Sequence, residues 1–157
     1  MKTAFTSFLI SIFTCSINAQ NVNIPDVNFK AYLLGNLAIN TNADTEIQTG
    51  EASAFTGPLD CSDQNITDLT GIEAFTSLTY LKCHDNQISS LDISQNTELN
   101  ELNCHHNLLT SIDVSQNIDL TAFYCQFNSL TSLNLSTNTA LTNLFCSNNQ
   151  LTSLDLS

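Results

Sequence analysis

Between Leu78 and Ser157 the apolar positions recur every 21 residues, in a unit that reads Leu-x-x-Leu-x-Cys-x-x-Asn-x-Leu-x-x-Leu-Asp-x-Ser. Copies begin at Leu78, Leu99, Leu120 and Leu141, and the last stops at Ser157, four residues before its period closes. Positions 1, 4, 6, 11, 14 and 16 are apolar: Leu78, Leu81, Cys83, Ile88, Leu91 and Ile93 in the first copy, Leu120, Phe123, Cys125, Leu130, Leu133 and Leu135 in the third. Alternation around positions 4 and 6 predicts a short strand with one buried face. The Asn at position 9 (Asn86, Asn107, Asn128, Asn149) predicts the end of that strand. Its amide is expected to bond backbone groups left unpaired by the turn, in its own coil and in the next. No single coil can bury its own apolar face, so the copies stack on a shared core with strands about 4.8 Å apart.

A period of about 20–29 residues with this pattern is the signature of a leucine-rich repeat. The predicted fold is an α/β repeat solenoid with a parallel concave sheet. Twenty-one residues leave little room for a helix on the back of a coil. Extended or 3₁₀ segments are expected there, shaped by Asp-x-Ser-x-Asn turns at Asp92, Ser94, Asn96 and their copies. Leu59-Asp60-Cys61 opens a divergent first copy, with Gln64 in place of the Asn and one extra residue between Leu69 and Leu78. Gly71 supports the altered turn there. The repeats thus occupy 57–157.

Residues 20–56 depart from the repeat and are read as an N-terminal helical cap, which a solenoid needs to cover its first coil. Pro25-Asp26 starts a helix with Asp26 as N-cap, and Phe29, Tyr32, Leu33 and Leu37 share one face of it. A second short helix is expected from Glu51 to Phe55. Between them, Asn40, Asn42, Asp44, Gln48 and Glu51 fall at ligand positions 1, 3, 5, 9 and 12 of a twelve-residue loop, and Glu46 would add its carbonyl. The spacing resembles an EF-hand or dockerin-type Ca2+ loop. Asn40 lacks the usual Asp charge and Thr45 stands where the sharp turn wants Gly, so the loop reads either as a calcium site or as a turn that keeps the shape without the ion.

Composition narrows the function. Three basic residues stand against fifteen acidic ones, without arginine. Such a chain repels nucleic acid and anionic membranes. Met1-Lys2, an apolar run from about Phe5 to Ile17, and Ala19 before Gln20 fit a secretory signal peptide over 1–19, cleaved after Ala19. The run is too short for a membrane span, and no other segment could span a bilayer. Localisation is expected to be secreted or cell-surface. The remaining cysteines, 61, 83, 104, 125 and 146, all sit at the inward position 6. Parallel side-chain vectors and the odd count predict a ladder of buried reduced thiols rather than disulfides.

The residues that do not repeat gather at strand positions facing the concave side: Tyr80, Lys82, His84, His105, His106, Tyr124, Phe127 and Phe145. Exposed aromatics on a rigid sheet favour a binding face. His84, His105 and His106 with Asp85 are candidate metal ligands, although only two coils supply them. No nucleophile, base and oxyanion arrangement is present in the pattern, so the chain reads as a binding scaffold and not an enzyme.

Residues 59–157, with the 21-residue period and the Cys at position 6 as in Leu99-Asn-Glu-Leu-Asn-Cys104, resemble secreted bacterial leucine-rich repeat proteins, including the cysteine-ladder internalins. The cap, from Ile24-Pro-Asp-Val-Asn-Phe29 through Thr45-Glu-Ile-Gln48, resembles that of extracellular repeat proteins from Bacteroidetes. The resemblance implies a right-handed solenoid that binds a protein or glycan outside the cell. The alternatives are a calcium-dependent structural module and the recognition segment of a longer secreted enzyme. No C-terminal cap follows Leu154-Asp-Leu-Ser157, and Leu144, Cys146, Leu151 and Leu154 are expected to be exposed there. The chain is therefore expected to be part of a longer reading frame, or else to associate end to end.

Overall fold

A computed structural model describes residues 20–156, so the signal peptide read over 1–19 lies outside the described residues. The repeats supply β1 (Leu59–Asp60), β2 (Tyr80–Lys82), β3 (Glu101–Asn103), β4 (Ala122–Tyr124), β5 (Ser132–Asn134), β6 (Asn143–Phe145) and β7 (Ser153–Asp155). Strands β1, β2, β3, β4 and β6 form one parallel sheet in that order. Its register is the repeat itself: Leu81 pairs with Leu102, Leu102 with Phe123 and Phe123 with Leu144. Inter-coil bonding continues past the strands, from Cys83 N–H to Asn103 O, Asp85 N–H to His105 O and Asn86 N–H to His106 O.

The back of the solenoid carries 3₁₀ and extended segments, as a 21-residue repeat leads one to expect. A 3₁₀ turn occurs at Ile72–Ala74, and the last two coils pair β5 with β7 in a second parallel sheet. The Asx turns form at Ser94 N–H to Asp92, Ser115 N–H to Asp113 and Ser136 N–H to Asn134. These backbone bonds hold Asp92 and Asp113 below the usual carboxylate range.

Two asparagine ladders lock the coils. At position 9, Asn107 Nδ2 donates to Cys83 O and Cys104 O, while Oδ1 accepts from Ile88 N–H. Asn86, Asn128 and Asn149 repeat this pattern. The neighbour reached is the preceding coil, not the next one, because Cβ at the end of the strand directs the amide back over the finished turn. At position 19, buried Asn96, Asn117 and Asn138 donate to carbonyls 21 and 24 residues earlier. Gln64 is freed from this role because its coil has no repeat before it, and it bonds Ser62 O instead.

Leucine, isoleucine and the thiols of Cys61, Cys83, Cys104 and Cys125 fill one continuous core, all four cysteines being free and buried. Burial pushes the Cys61 and Cys125 thiols up to about 12 and those of Cys83 and Cys104 well above the ordinary value, so the ladder carries thiols and not thiolates. Leu144, Cys146 and Leu151 are half-buried and Leu154 is exposed.

The cap holds α1 (Val27–Gly35) and α2 (Thr49–Ala54). Helix α2 starts two residues earlier than the expected Glu51, because Gln48 and Glu51 form a capping box. Helix α1 buries Phe29 and Leu33. Leu37 falls beyond its end and is 71% exposed, since the chain leaves the helix at Asn36. Ile39 and Ile47 fill the space instead. Among the described residues no helix is long and apolar enough to cross a membrane.

Gly71 sits at φ 108°, and a Cβ there would lie 2.8 Å from Ile24 Cγ1 and 3.0 Å from Asn23 O. Gly71→Ala is therefore expected to cost about 2 kcal/mol by forcing the cap off the first coil. Urea unfolding measures this, and a cost below about 0.5 kcal/mol would show that the contact yields freely.

Candidate functional site

Parallel register places each strand position in a column across the sheet. Position 5 reads Asp60, Lys82, Asn103, Tyr124 and Phe145, each paired with the next. Tyr124 and Phe145 stack at 5.2 Å between centroids and 15° between planes. Tyr80 lies exposed at position 3 of its repeat, the first residue of β2, and Lys82 Nζ approaches Glu101 Oε1 at 3.9 Å.

Past the strand, position 8 enters the left-handed region in every coil: Asp63, Asp85, His106, Phe127 and Asn148 have φ between 49° and 56°. Asp, Asn and His are the side chains that tolerate that conformation, whereas the bulky Phe is strained in it. Phe127 stacks on His106, with the two rings 4.2 Å apart at 21°. The chain of rings continues from His106 to His105 at 5.2 Å and from His105 to His84 at 4.4 Å. All eight residues expected to face the ligand thus stand on or beside one sheet face: six fall in a His-rich row and a separate Tyr–Phe stack, and Tyr80 and Lys82 stand on β2.

Asp85 anchors the histidine end. His84 Nδ1–H donates to its Oδ2 at 2.8 Å, and His105 Nδ1 lies 4.0 Å from the same oxygen. The His84 bond holds Asp85 below the usual carboxylate range. Burial raises Asp60, but the Ser62 bonds with His84 and Lys82 nearby bring it below its ordinary value as well.

The 40–51 loop is closed by its own hydrogen bonds. Glu51 Oε1 accepts from Thr41 N–H, Thr41 Oγ1–H and Asn42 N–H, and Oε2 accepts from Gln48 N–H. Asn42 Nδ2 and Gln48 Nε2 both donate to Asp44 Oδ2, and Glu46 N–H donates to Oδ1. Asn40 Nδ2 donates to Leu34 O and Asp44 O. Lys30 Nζ sits 2.8 Å from Glu46 Oε2. As arranged, N–H groups and an ammonium point at the carboxylates a calcium ion would need, so this donor set does not fit the ion without rearrangement.

Sequence reasoning placed the columns but missed two things. Asp26 does more than cap α1: Oδ1 accepts from Asn28 and Phe29 N–H, while Oδ2 accepts from Thr67 N–H, Thr67 Oγ1–H and Asp68 N–H in the first coil. A groove of about 530 Å³ also opens away from the aromatic row, between the divergent coil and its successor, lined by Thr67, Asp68, Glu73, Ser90 and Asp92 among others.

The profile of the family described as the Endo-beta-N-acetylglucosaminidase EndoS LRR domain matches residues 36–157. Internalin J of Listeria monocytogenes is 41% identical over 73 residues, which is 46% of this chain and 8% of internalin J. The solved functional domain of that protein, described as including a cysteine ladder, superposes with a TM-score of 0.76 at 42% identity over 88% of this chain and 30% of the domain. An internalin, inlF, from the same species shares the fold at TM-score 0.65 and 21% identity, over 82% of this chain and 45% of its own. The chain therefore spans less than half the length of each.

Proposed function

The chain belongs to the family of the EndoS leucine-rich-repeat domain, and from that premise we propose that it is a secreted or cell-surface scaffold that binds a protein or glycan on its concave sheet. The observation that carries this reading is the strain at position 8. The fold is satisfied there by Asp or Asn, and His106 is tolerated at φ 49°, yet Phe127 holds φ 55° and keeps 45% of its surface in water. Backbone strain of this kind costs about 1–3 kcal/mol and collects at functional sites. Neither ring fills the core, so their return lies outside the fold. Tyr124 and Phe145 extend the same surface. Flat, paired rings suit the apolar face of a sugar or a hydrophobic anchor of a protein partner.

The test is a variant carrying Phe127→Asn, Tyr124→Ser and Phe145→Ser, probed beside the parent on a glycan array and a panel of immobilised extracellular proteins. Whatever the parent retains, the variant should lose, while Phe127→Asn alone leaves the melting midpoint unchanged or raised. Equal retention by parent and variant would remove the aromatic row from the interface.

A second reading is supported by the family description, which names a repeat domain of an endoglycosidase. On that reading this chain is the recognition segment of a longer secreted enzyme, and an adjoining catalytic domain in the full reading frame would establish it. Loop 40–51 is proposed to serve either reading as a brace between the cap helices.

A further inference from the structure

We propose that His84, Asp85 and His105 form a site for one divalent transition-metal ion of the zinc class on the exposed face of the sheet. The candidate ligand atoms lie within 4.8 Å of one another. His84 Nδ1 is 2.8 Å and His105 Nδ1 is 4.0 Å from Asp85 Oδ2. Ligands on a tetrahedral ion with bonds of about 2.0–2.1 Å stand roughly 3.3 Å apart, so the observed separations bracket the requirement and small side-chain rotations close it. The backbone holds the set in place. His84 and His105 occupy position 7 of adjacent, hydrogen-bonded coils, and Asp85 follows His84 at φ 53°, where the left-handed turn brings its carboxylate beside both imidazoles.

A second observation points to a ligand. His105 Nδ1 is shielded from solvent and has no hydrogen-bond partner, an uncommon state for a ring nitrogen. An ion between the three groups would answer it. The formal net charge of −12 favours a cation, and Lys82 is engaged by Glu101. Two imidazoles and one carboxylate are the donor set of zinc, copper or nickel, whereas calcium and magnesium take oxygen ligands. On binding, the ion replaces the His84 Nδ1 proton, which moves to Nε2 of the same neutral ring, and the carboxylate is already ionised. Three protein ligands leave the fourth position open above the sheet, where water or a donor from a partner completes the shell. The site does not depend on the protein or glycan reading, because the ion binds without a partner.

The experiment is equilibrium dialysis of the chain, purified without a polyhistidine tag, against micromolar zinc, with elemental analysis for stoichiometry. Cobalt substitution gives a visible ligand-field band as a second readout. One ion per chain is expected. His105→Gln should weaken binding by more than about tenfold, the loss caused even by outer partners of a metal site. His84→Ser with His105→Gln should abolish both binding and the cobalt band. Gln and Ser already stand at position 7 in Gln126, Ser62 and Ser147, so the coil accepts them. Melting curves confirm that each variant is folded. Zinc retained undiminished by the folded double variant would move the ion to the thiols or to loop 40–51 and overturn the proposal. A folded parent chain that takes up no ion would overturn it too.

Discussion

Asn107→Ala is expected to lower the unfolding free energy by about 3–5 kcal/mol, well above the loss from a typical point substitution. The side chain is buried and answers four backbone groups: the carbonyls of Cys83, Cys104 and His105 and the N–H of Ile88. Each buried group left without a partner costs roughly 1–3 kcal/mol. Water cannot reach them without opening the seam between two coils. Asn107→Asp should be at least as harmful, because three carbonyls would then face a carboxylate. The same change to Ala at Asn149 should cost less, since that side chain makes equivalent bonds but is only half-buried. Urea unfolding of the three variants checks the order. A loss below about 1 kcal/mol at Asn107 would mean that the ladder is decorative.

Asp26→Asn is expected to cost about 2–3 kcal/mol, although Asn is as good an N-cap as Asp. The cap half of the interaction survives, because Oδ1 still accepts from Asn28 and Phe29. The other half inverts: an NH2 group replaces the oxygen that accepts from Thr67 N–H and Asp68 N–H, so donor meets donor. Burial opposes the charge of Asp26, but the bonds from Phe29, Thr67 and Asn28 outweigh it and leave the carboxyl below its ordinary value. A depressed folded value means that the contribution is complete above the unfolded value of about 3.9 and is lost as pH falls through the folded one. The gap between parent and variant should therefore be full at neutral pH and shrink below about pH 4. A gap that persists unchanged in acid would assign the cost to packing rather than to charge.

Much of this was readable from the chain. A period of 21 fixes register, so the columns through Leu81 and Lys82 followed from counting. Helix α1 was legible at its start from Pro25-Asp26, but not at its end. The apolar spacing runs on to Leu37, whereas the turn at Asn36 stops the helix. The second role of Asp26 depends on Thr67, 41 residues away, and no local pattern carries such a contact. The site divides in the same way. Which residues face outward follows from strand alternation. Their grouping into stacked pairs depends on left-handed backbone at position 8, and Phe127 hides that signal because Asn and Asp are the residues that advertise it. Loop 40–51 has the right oxygens at the right spacing, yet spacing does not reveal that Gln48 and Asn42 turn their amide N–H groups inward.

Both asparagine ladders reach backwards, to a carbonyl 24 residues earlier in the chain, and the position-19 ladder also to one 21 residues earlier. This gives the solenoid a direction of growth. A chain leaving a ribosome or a secretion pore presents its cap first, and each later coil meets a finished template that its own side chains are built to grip. When a distal coil is lost, the side-chain amides of those that remain keep the carbonyls they grip, and only backbone groups at the new end, such as Ile88 N–H, return to water, whereas removing the proximal end takes the Cys61 carbonyl from Asn86 and leaves it those of Cys83 and His84. For a lineage that varies its reach by duplicating repeats, such one-way dependence makes the far end the natural place for change.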